Sequence, residues 1–287
     1  GCWVTDITGK KYLDMTSGIG ALSTGHSHPR IINAIKEQSE QIIHAQQNCF
    51  VSHNPQIDLT KKLLEIMPKN LDTFFYVNSG SEATDNAIKI ARHYTKKSNI
   101  ISMHRGFHGR TIGAMSITSS KVSYRQGCQP LMPGVFFCND YLKQDIEQIF
   151  SYQSSPDETA AIIIEPILGE GGVVPIPPTF TKYLKNICQE NNIMLIVDEV
   201  QTGAGRTGEW WNIDKHDVEP DIMTFAKGIA SGFPFGGVAA SNEIMNSVTP
   251  NLLGGTYGGN ALGSAVALET IKIIEDEDLL ENAKNMG

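Results

Sequence analysis

The sequence predicts an α/β protein built on one mostly parallel sheet of seven strands, with helices on both faces. Three observations predict it. Short apolar runs rich in β-branched and aromatic residues alternate with helical patterns. The runs are close to continuously apolar, as strands buried on both faces are. Chemically capable residues follow the runs directly, and in open α/β sheets ligands bind beyond the carboxyl ends of the strands.

The chain opens on a strand-like pattern, Cys2-Trp3-Val4-Thr5-Asp6, and a turn at Thr8-Gly9-Lys10. Strands are expected over 73–77, 99–103, 135–138, 161–164, 193–197, 222–225 and 237–240. Helical patterns lie between them, over about 29–45, 56–67, 81–95, 143–152, 179–191 and 260–275. A further helical pattern reads from Ala265 to Ala283. The helix over 81–95 has apolar positions at Ala83, Ala87, Ile88, Ile90 and Ala91. Pro175, Pro177 and Pro178 mark a loop before a helix rather than a linker. Both chain ends read as internal to a longer protein: there is no initiator Met, and the last residues, Met286-Gly287, follow a helical pattern.

With 287 residues the chain is long enough to bury a sizeable core. Its 40% hydrophobic and 19% charged content is ordinary for a globular protein. A net charge of −8 disfavours general nucleic-acid or anionic-membrane binding. No apolar run approaches the roughly 20 residues a spanning helix needs. No basic start or apolar signal core appears at the N-terminus. The five cysteines (Cys2, Cys49, Cys128, Cys138, Cys188) are scattered, with no CxxC pair. They read as reduced thiols of an intracellular protein, in the cytoplasm or the mitochondrial matrix.

Five strand ends carry the candidate chemistry. After Phe74-Phe75-Tyr76-Val77 comes Asn78-Ser79-Gly80-Ser81-Glu82. After Ile100-Ile101-Ser102-Met103 comes His104-Arg105-Gly106-Phe107-His108-Gly109. Ile162-Ile163-Ile164 leads to Glu165-Pro166, Ile196-Val197 to Asp198-Glu199-Val200-Gln201, and Thr224-Phe225-Ala226 to Lys227. Each has a bland reading. A lysine after a strand is ordinarily solvated, and Ser79 or Ser81 before a helix is ordinarily an N-cap. Asp198 and Glu165 could be caps or ion-pair partners, and Phe107 could be core. The functional reading is that the backbone N–H groups of the Gly80–Ser81 turn hold a phosphate at a helix N-terminus. Phe107 then offers a flat face for a ring. A buried carboxylate keeps a ring nitrogen protonated, and the amine meets an aldehyde. Other motifs fail. Gly203-Ala204-Gly205-Arg206-Thr207-Gly208 matches GxGxxG, but it does not abut its strand and opens no amphipathic helix, so it is no dinucleotide site. His26 and His28 lack an acidic or Cys partner at metal spacing and read as a turn.

One ligand needs all four features: pyridoxal 5′-phosphate. The ordered motifs Gly25-His26-Ser27-His28-Pro29, Asn78-Ser79-Gly80-Ser81-Glu82-Ala83 and Phe107-His108-Gly109-Arg110-Thr111 are similar to those of class III (ω-type) aminotransferases. So are Glu165-Pro166 with Gly169-Glu170-Gly171-Gly172, Asp198-Glu199-Val200-Gln201-Thr202-Gly203, Ala226-Lys227-Gly228 and Gly255-Thr256-Tyr257-Gly258-Gly259-Asn260. The likeness covers nearly the whole chain and is greatest to the 4-aminobutyrate aminotransferase branch. It implies fold type I and a Schiff base between Lys227 and the cofactor, with Lys227 moving the proton. It implies that Asp198 pairs with the ring nitrogen, that Phe107 and Val200 cover the two ring faces, and that His108 lies near the ring. Gln201 would reach the phenolic oxygen, and Gly80 and Ser81 would bind the phosphate. Thr256 would bind the phosphate of a neighbouring subunit, which requires a homodimer with shared sites. Glu165 and Glu170 would face substrate, Glu170 gating a carboxylate-binding arginine. The resemblance further implies an N-terminal segment, 1–50, and a cofactor-binding large domain, 51–287, with a C-terminal small domain lying outside this chain. The substrates would be an ω-amino acid or related amine and a 2-oxo acid.

Rivals from other classes stand beside this reading. An aminomutase, epimerase or lyase would use the same Lys227 and Asp198, and a test for amino transfer to 2-oxoglutarate or pyruvate separates them. A truncated, non-catalytic homologue is the other rival, and the intact Lys227, Asp198 and phosphate motif argue against it.

Overall fold

A computed structural model describes residues 1–47 and 52–287. Cys49 and the expected division between residues 50 and 51 lie outside the described residues. The chain begins with an antiparallel hairpin, β1 (Trp3–Thr5) and β2 (Lys11–Leu13), in which Trp3 faces Leu13. A distorted turn α1 (Ser17–Gly20), α2 (Pro29–Ser39) and α3 (Asn54–Ile66) follow. The central region runs β3 (Thr73–Val77), α4 (Gly80–Thr95), β4 (Asn99–Met103), α5 (Ile112–Ser116), β5 (Val135–Cys138), α6 (Lys143–Tyr152) and β6 (Thr159–Ile164). A small hairpin of β7 (Ile167–Leu168) and β8 (Val174–Pro175) leads to α7 (Pro178–Glu190) and β9 (Met194–Asp198). The chain closes with β10 (Ile222–Phe225), β11 (Gly236–Ala240), α8 (Asn242–Ser247), α9 (Ala261–Asp276) and α10 (Leu279–Met286).

Seven strands form the main sheet in the order β3-β11-β10-β9-β6-β4-β5. Only β11 opposes the others, pairing antiparallel with both β10 and β3. The short connection 226–235 explains it, because parallel neighbours need a long crossover. The period-two rule of strands divides the core. Ile162 and Ile164 of β6 join Leu184, Trp211, Phe225 and Ile271 on one face. Ile163 joins Ala87, Ile90, Ile196 and Val238 on the other. Both faces are covered, so every residue of β6 is buried.

Two helical expectations are corrected. The helix expected over 29–45 ends at Ser39, because the Gln38 amide donates to the Ile42 carbonyl (2.8 Å) and folds the chain back. The pattern from Ala265 to Ala283 is broken between α9 and α10, where Asp278 takes a left-handed φ of +51°. No helix among the described residues is long and apolar enough to cross a membrane.

Just past β9, Glu199 is wholly buried. It accepts the Ile213 N–H (2.7 Å) and the Thr202 hydroxyl, tying the turns after β9 to the 3-10 turn Asn212–His216. Burial pushes its carboxyl up to about 7 from 4.5. The unfolded chain therefore releases this proton first as pH rises. Stability is fullest below the unfolded value and falls as pH climbs toward the folded one. Glu199→Gln is expected to flatten the fall in melting temperature between about pH 5 and 7. Melts across that range check it; a slope equal to that of the parent counts against this role.

Candidate active site

A cavity of about 550 Å³ opens at the carboxyl edge of the sheet. That volume suits a small organic ligand. Because six strands point the same way, the segments after β3, β4, β6, β9 and β10 all reach it. It gathers Gly80, Ser81, Phe107, His108, Glu165, Glu170, Asp198, Val200, Gln201 and Lys227, ten of the eleven residues expected at the site. Thr256 is the exception: it is exposed and does not line the cavity.

Asp198 forms the floor. Its Oδ2 accepts from His108 Nδ1 at 2.7 Å, and both side chains are almost inaccessible. Its Oδ1 accepts the Val200 N–H (3.0 Å) and the Thr224 hydroxyl (3.0 Å). Thr224 stands opposite Asp198 in the β9–β10 register. Burial pulls the His108 imidazole down, but the bond to Asp198 and the charges of Asp198 and Glu165 outweigh it and leave it raised. His108 Nε2 is buried without a partner among the described residues.

Glu165 lines the wall but is only 4% exposed. Its Oε1 accepts the Phe107 N–H (2.8 Å) and its Oε2 the Gly169 N–H (3.1 Å). Both oxygens therefore hold backbone, and one of them sets the Phe107 loop. Burial lifts its carboxyl to about 7, with His108 opposing. Glu170 lies nearer the mouth and accepts from Lys121 Nζ (3.2 Å) and the Tyr124 hydroxyl (3.1 Å). Burial would raise its carboxyl, but those two bonds prevail and lower it.

Lys227 follows β10 at φ +47°, a left-handed conformation uncommon for a residue with a side chain. Its ammonium donates to Gln201 Oε1. Burial lowers its affinity for the proton, against the partial opposition of Asp198, Glu165 and Glu170.

The N-terminus of α4 closes the cavity at another side. Ser79 is the N-cap, accepting the Glu82 N–H (3.3 Å), so the N–H groups of Gly80 and Ser81 have no helical partner. Gly109, at φ +135°, packs so tightly that a Cβ there would sit 2.0 Å from Ser81 Oγ. A Cβ on Gly80 would sit 2.7 Å from a Val200 methyl. Two glycines thus keep open a cradle of free donors with a helix dipole behind it, which fits a phosphate.

Residues 203–207 form successive turns, followed by the 3-10 turn Asn212–His216 and not by an α-helix. His28 caps α2 by accepting the Arg30 N–H (3.3 Å), and His26 pairs with Asp14 (2.7 Å). Three contributors went unread. Thr224 is a polar residue within an apolar run. Arg110 lines the cavity from inside a recognised motif, and Tyr124 lies in a stretch without periodicity.

Comparison with known proteins agrees with this geometry. The family model described as Aminotransferase class-III matches residues 1–287. The chain is 39% identical to 5-aminovalerate aminotransferase of Pseudomonas putida, over 99% of this chain and 69% of that protein. It is 40% identical to 4-aminobutyrate aminotransferase of Escherichia coli, over 100% and 70%. To acetylornithine aminotransferase of Archaeoglobus fulgidus it is 40% identical, over 100% and 74%. Among solved structures, a transaminase from the marine bacterium Virgibacillus superposes with a TM-score of 0.95 at 34% identity, covering 100% of this chain and 69% of that one. An amine transaminase from an uncultivated Pseudomonas species, in a PLP-bound form, gives 0.92 at 28% identity, covering 98% and 70%. With the cradle, the buried carboxylate and the strand-end lysine in one cavity, this chain belongs to the class-III aminotransferases, fold-type I enzymes that move an amino group from a donor to a 2-oxo acid with pyridoxal 5′-phosphate.

Proposed function

We propose that the amino donor is an ω-amino acid of the 4-aminobutyrate or 5-aminovalerate kind. The observation that carries this is Arg110. Among the described residues it is, apart from Lys227, the only lysine or arginine lining the cavity, and its side chain has no carboxylate partner there. A guanidinium in the same cavity as the reacting amine suits a donor with a carboxylate at its far end. The relatives that act on 4-aminobutyrate and 5-aminovalerate support the same reading.

The residues fit the cofactor. Gly80 and Ser81 would hold its phosphate, Phe107 and Val200 its two faces, Asp198 its ring nitrogen and Gln201 its phenolic oxygen. When bound, the cofactor supplies an electron sink and carries the amino group between the two half-reactions. Asp198, its two oxygens held by three donors, would face the ring nitrogen. Lys227 Nζ, desolvated and so readily neutral, would take the proton from the donor carbon that bears nitrogen and deliver it to the cofactor's aldehyde carbon rather than back to the donor. Glu165 keeps Phe107 in place from the cavity wall.

The same reading takes residues 51–287 as the cofactor-binding large domain and 1–50 as a segment along its edge. It also takes the active form as a homodimer with shared sites. Thr256 is exposed outside its own cavity, beside exposed Tyr257, and Ile19 and Ile43 are exposed as well. The experiment is a panel of 4-aminobutyrate, 5-aminovalerate, N-acetylornithine and butylamine against 2-oxoglutarate and pyruvate, using the complete protein. A preference for butylamine over both ω-amino acids overturns the proposal.

A further inference from the structure

Tyr124 meets Arg110, Glu170 and Lys121 together. Its ring meets Phe107 edge-on, with centroids 5.4 Å apart at 70°. The Arg110 guanidinium lies 4.8 Å from the ring centroid, in cation–π range. The hydroxyl donates to Glu170 at 3.1 Å and lies 3.3 Å from Lys121 Nζ, which itself reaches Glu170 at 3.2 Å. A flexible arginine beside a carboxylate ordinarily pairs with it. Here Arg110 and Glu170 share one tyrosine and form no ion pair with each other among the described residues. The ring attracts the cation, the hydroxyl and Lys121 occupy the anion, and the guanidinium fork stays free.

We propose that Tyr124 is a specificity-determining positioning residue. Its ring holds Arg110 ready for the distal carboxylate of the amino donor, while its hydroxyl keeps Glu170 from quenching that charge. The inference rests on the reading of Arg110 given above. It makes Arg110 as held by Tyr124, not the reacting lysine, the device that separates ω-amino acids from plain amines.

The test uses the complete, cofactor-loaded protein with three variants: Tyr124→Leu, Tyr124→Phe and Arg110→Gln. Two quantities are read. One is calorimetric binding of butyrate, which has the carboxylate but no amine to react. The other is the ratio of kcat/KM for 4-aminobutyrate to that for butylamine, with kcat and KM resolved. Tyr124→Leu is expected to weaken butyrate and lower the ratio by about 10-fold, chiefly through KM. Tyr124→Phe keeps the ring but releases Glu170, so it should lie between the parent and Tyr124→Leu, about 3-fold below the parent. Arg110→Gln should lose butyrate binding. If Arg110→Gln loses butyrate but Tyr124→Leu binds it normally, the Tyr124 inference fails and the Arg110 reading stands. If Arg110→Gln binds butyrate normally, the Arg110 reading fails and takes the inference with it. A loss in Tyr124→Phe equal to that in Tyr124→Leu removes the ring's role. Should Tyr124→Leu not fold, phenylalanines of increasing fluorination at position 124 keep the shape and weaken the ring face. Butyrate affinity should then fall with each fluorine, and a flat series overturns the proposal.

Discussion

Lys227→Ala is expected to abolish amino transfer, by about 10⁴-fold or more, while leaving the fold intact. The chemistry needs an amine that is neutral at working pH, and a solvated lysine with a pKa near 10.4 is not. Lys227 is lowered because it is buried. Nothing nearby replaces it. Lys121, the next amine toward the cavity, is engaged by Glu170 and Tyr124 at the mouth and is raised rather than lowered. Stability should change little or rise, since the variant removes a desolvated amine and alanine meets the same backbone strain at φ +47°. A melting curve with turnover assays checks both halves. Borohydride treatment of the loaded parent should fix the cofactor to the peptide that carries Lys227, and mass spectrometry locates it. Turnover by the variant within tenfold of the parent, or attachment at another lysine, would sink the assignment.

The sheet was legible because burial on both faces leaves a strong mark. Ile162-Ile163-Ile164 can only be apolar on both sides of a strand if layers cover both sides, and the core divides there, Ile163 going one way and its neighbours the other. Lys227 and Asp198 were legible for a related reason: each ends such a run, and parallel strands end on one edge. Orientation at that edge was not legible. Glu165 lines the cavity, but the bonds of its oxygens to the N–H groups of Phe107 and Gly169, the first 58 positions away, leave no mark in the sequence. The His108–Asp198 bond spans 90 positions and leaves no local pattern. The end of α2 was missed because Gln38 stops it with a side-chain bond that periodicity does not see. Tyr124 ends a three-residue 3-10 turn, Val122–Tyr124, too short to leave a periodic mark, so only the fold brings it to Phe107, Arg110 and Glu170.

Asp198→Asn should keep the protein folded and loaded with cofactor yet slow proton removal by about 10²–10³-fold. The shape barely changes. The amide oxygen can keep the Val200 N–H and the Thr224 hydroxyl, each 3.0 Å away in the parent. The amide nitrogen then faces His108 Nδ1, which must accept instead of donate. That moves the imidazole proton to Nε2, which has no partner among the described residues, so the His108 side pays a modest desolvation penalty. The larger loss is the charge. A carboxylate beside a ring nitrogen favours its protonated form; a neutral amide does not. With the ring less able to take up the electron pair, breaking the C–H bond becomes the slow step. Cofactor affinity should stay within about tenfold, because the Gly80–Ser81 cradle and the Phe107 and Val200 faces are untouched. The deuterium isotope effect on a donor labelled at the nitrogen-bearing carbon should therefore rise as the rate falls. A variant with the parent's rate would contradict the electron-sink role of Asp198. A slow variant without a raised isotope effect would show that Asp198 acts on some step other than proton removal.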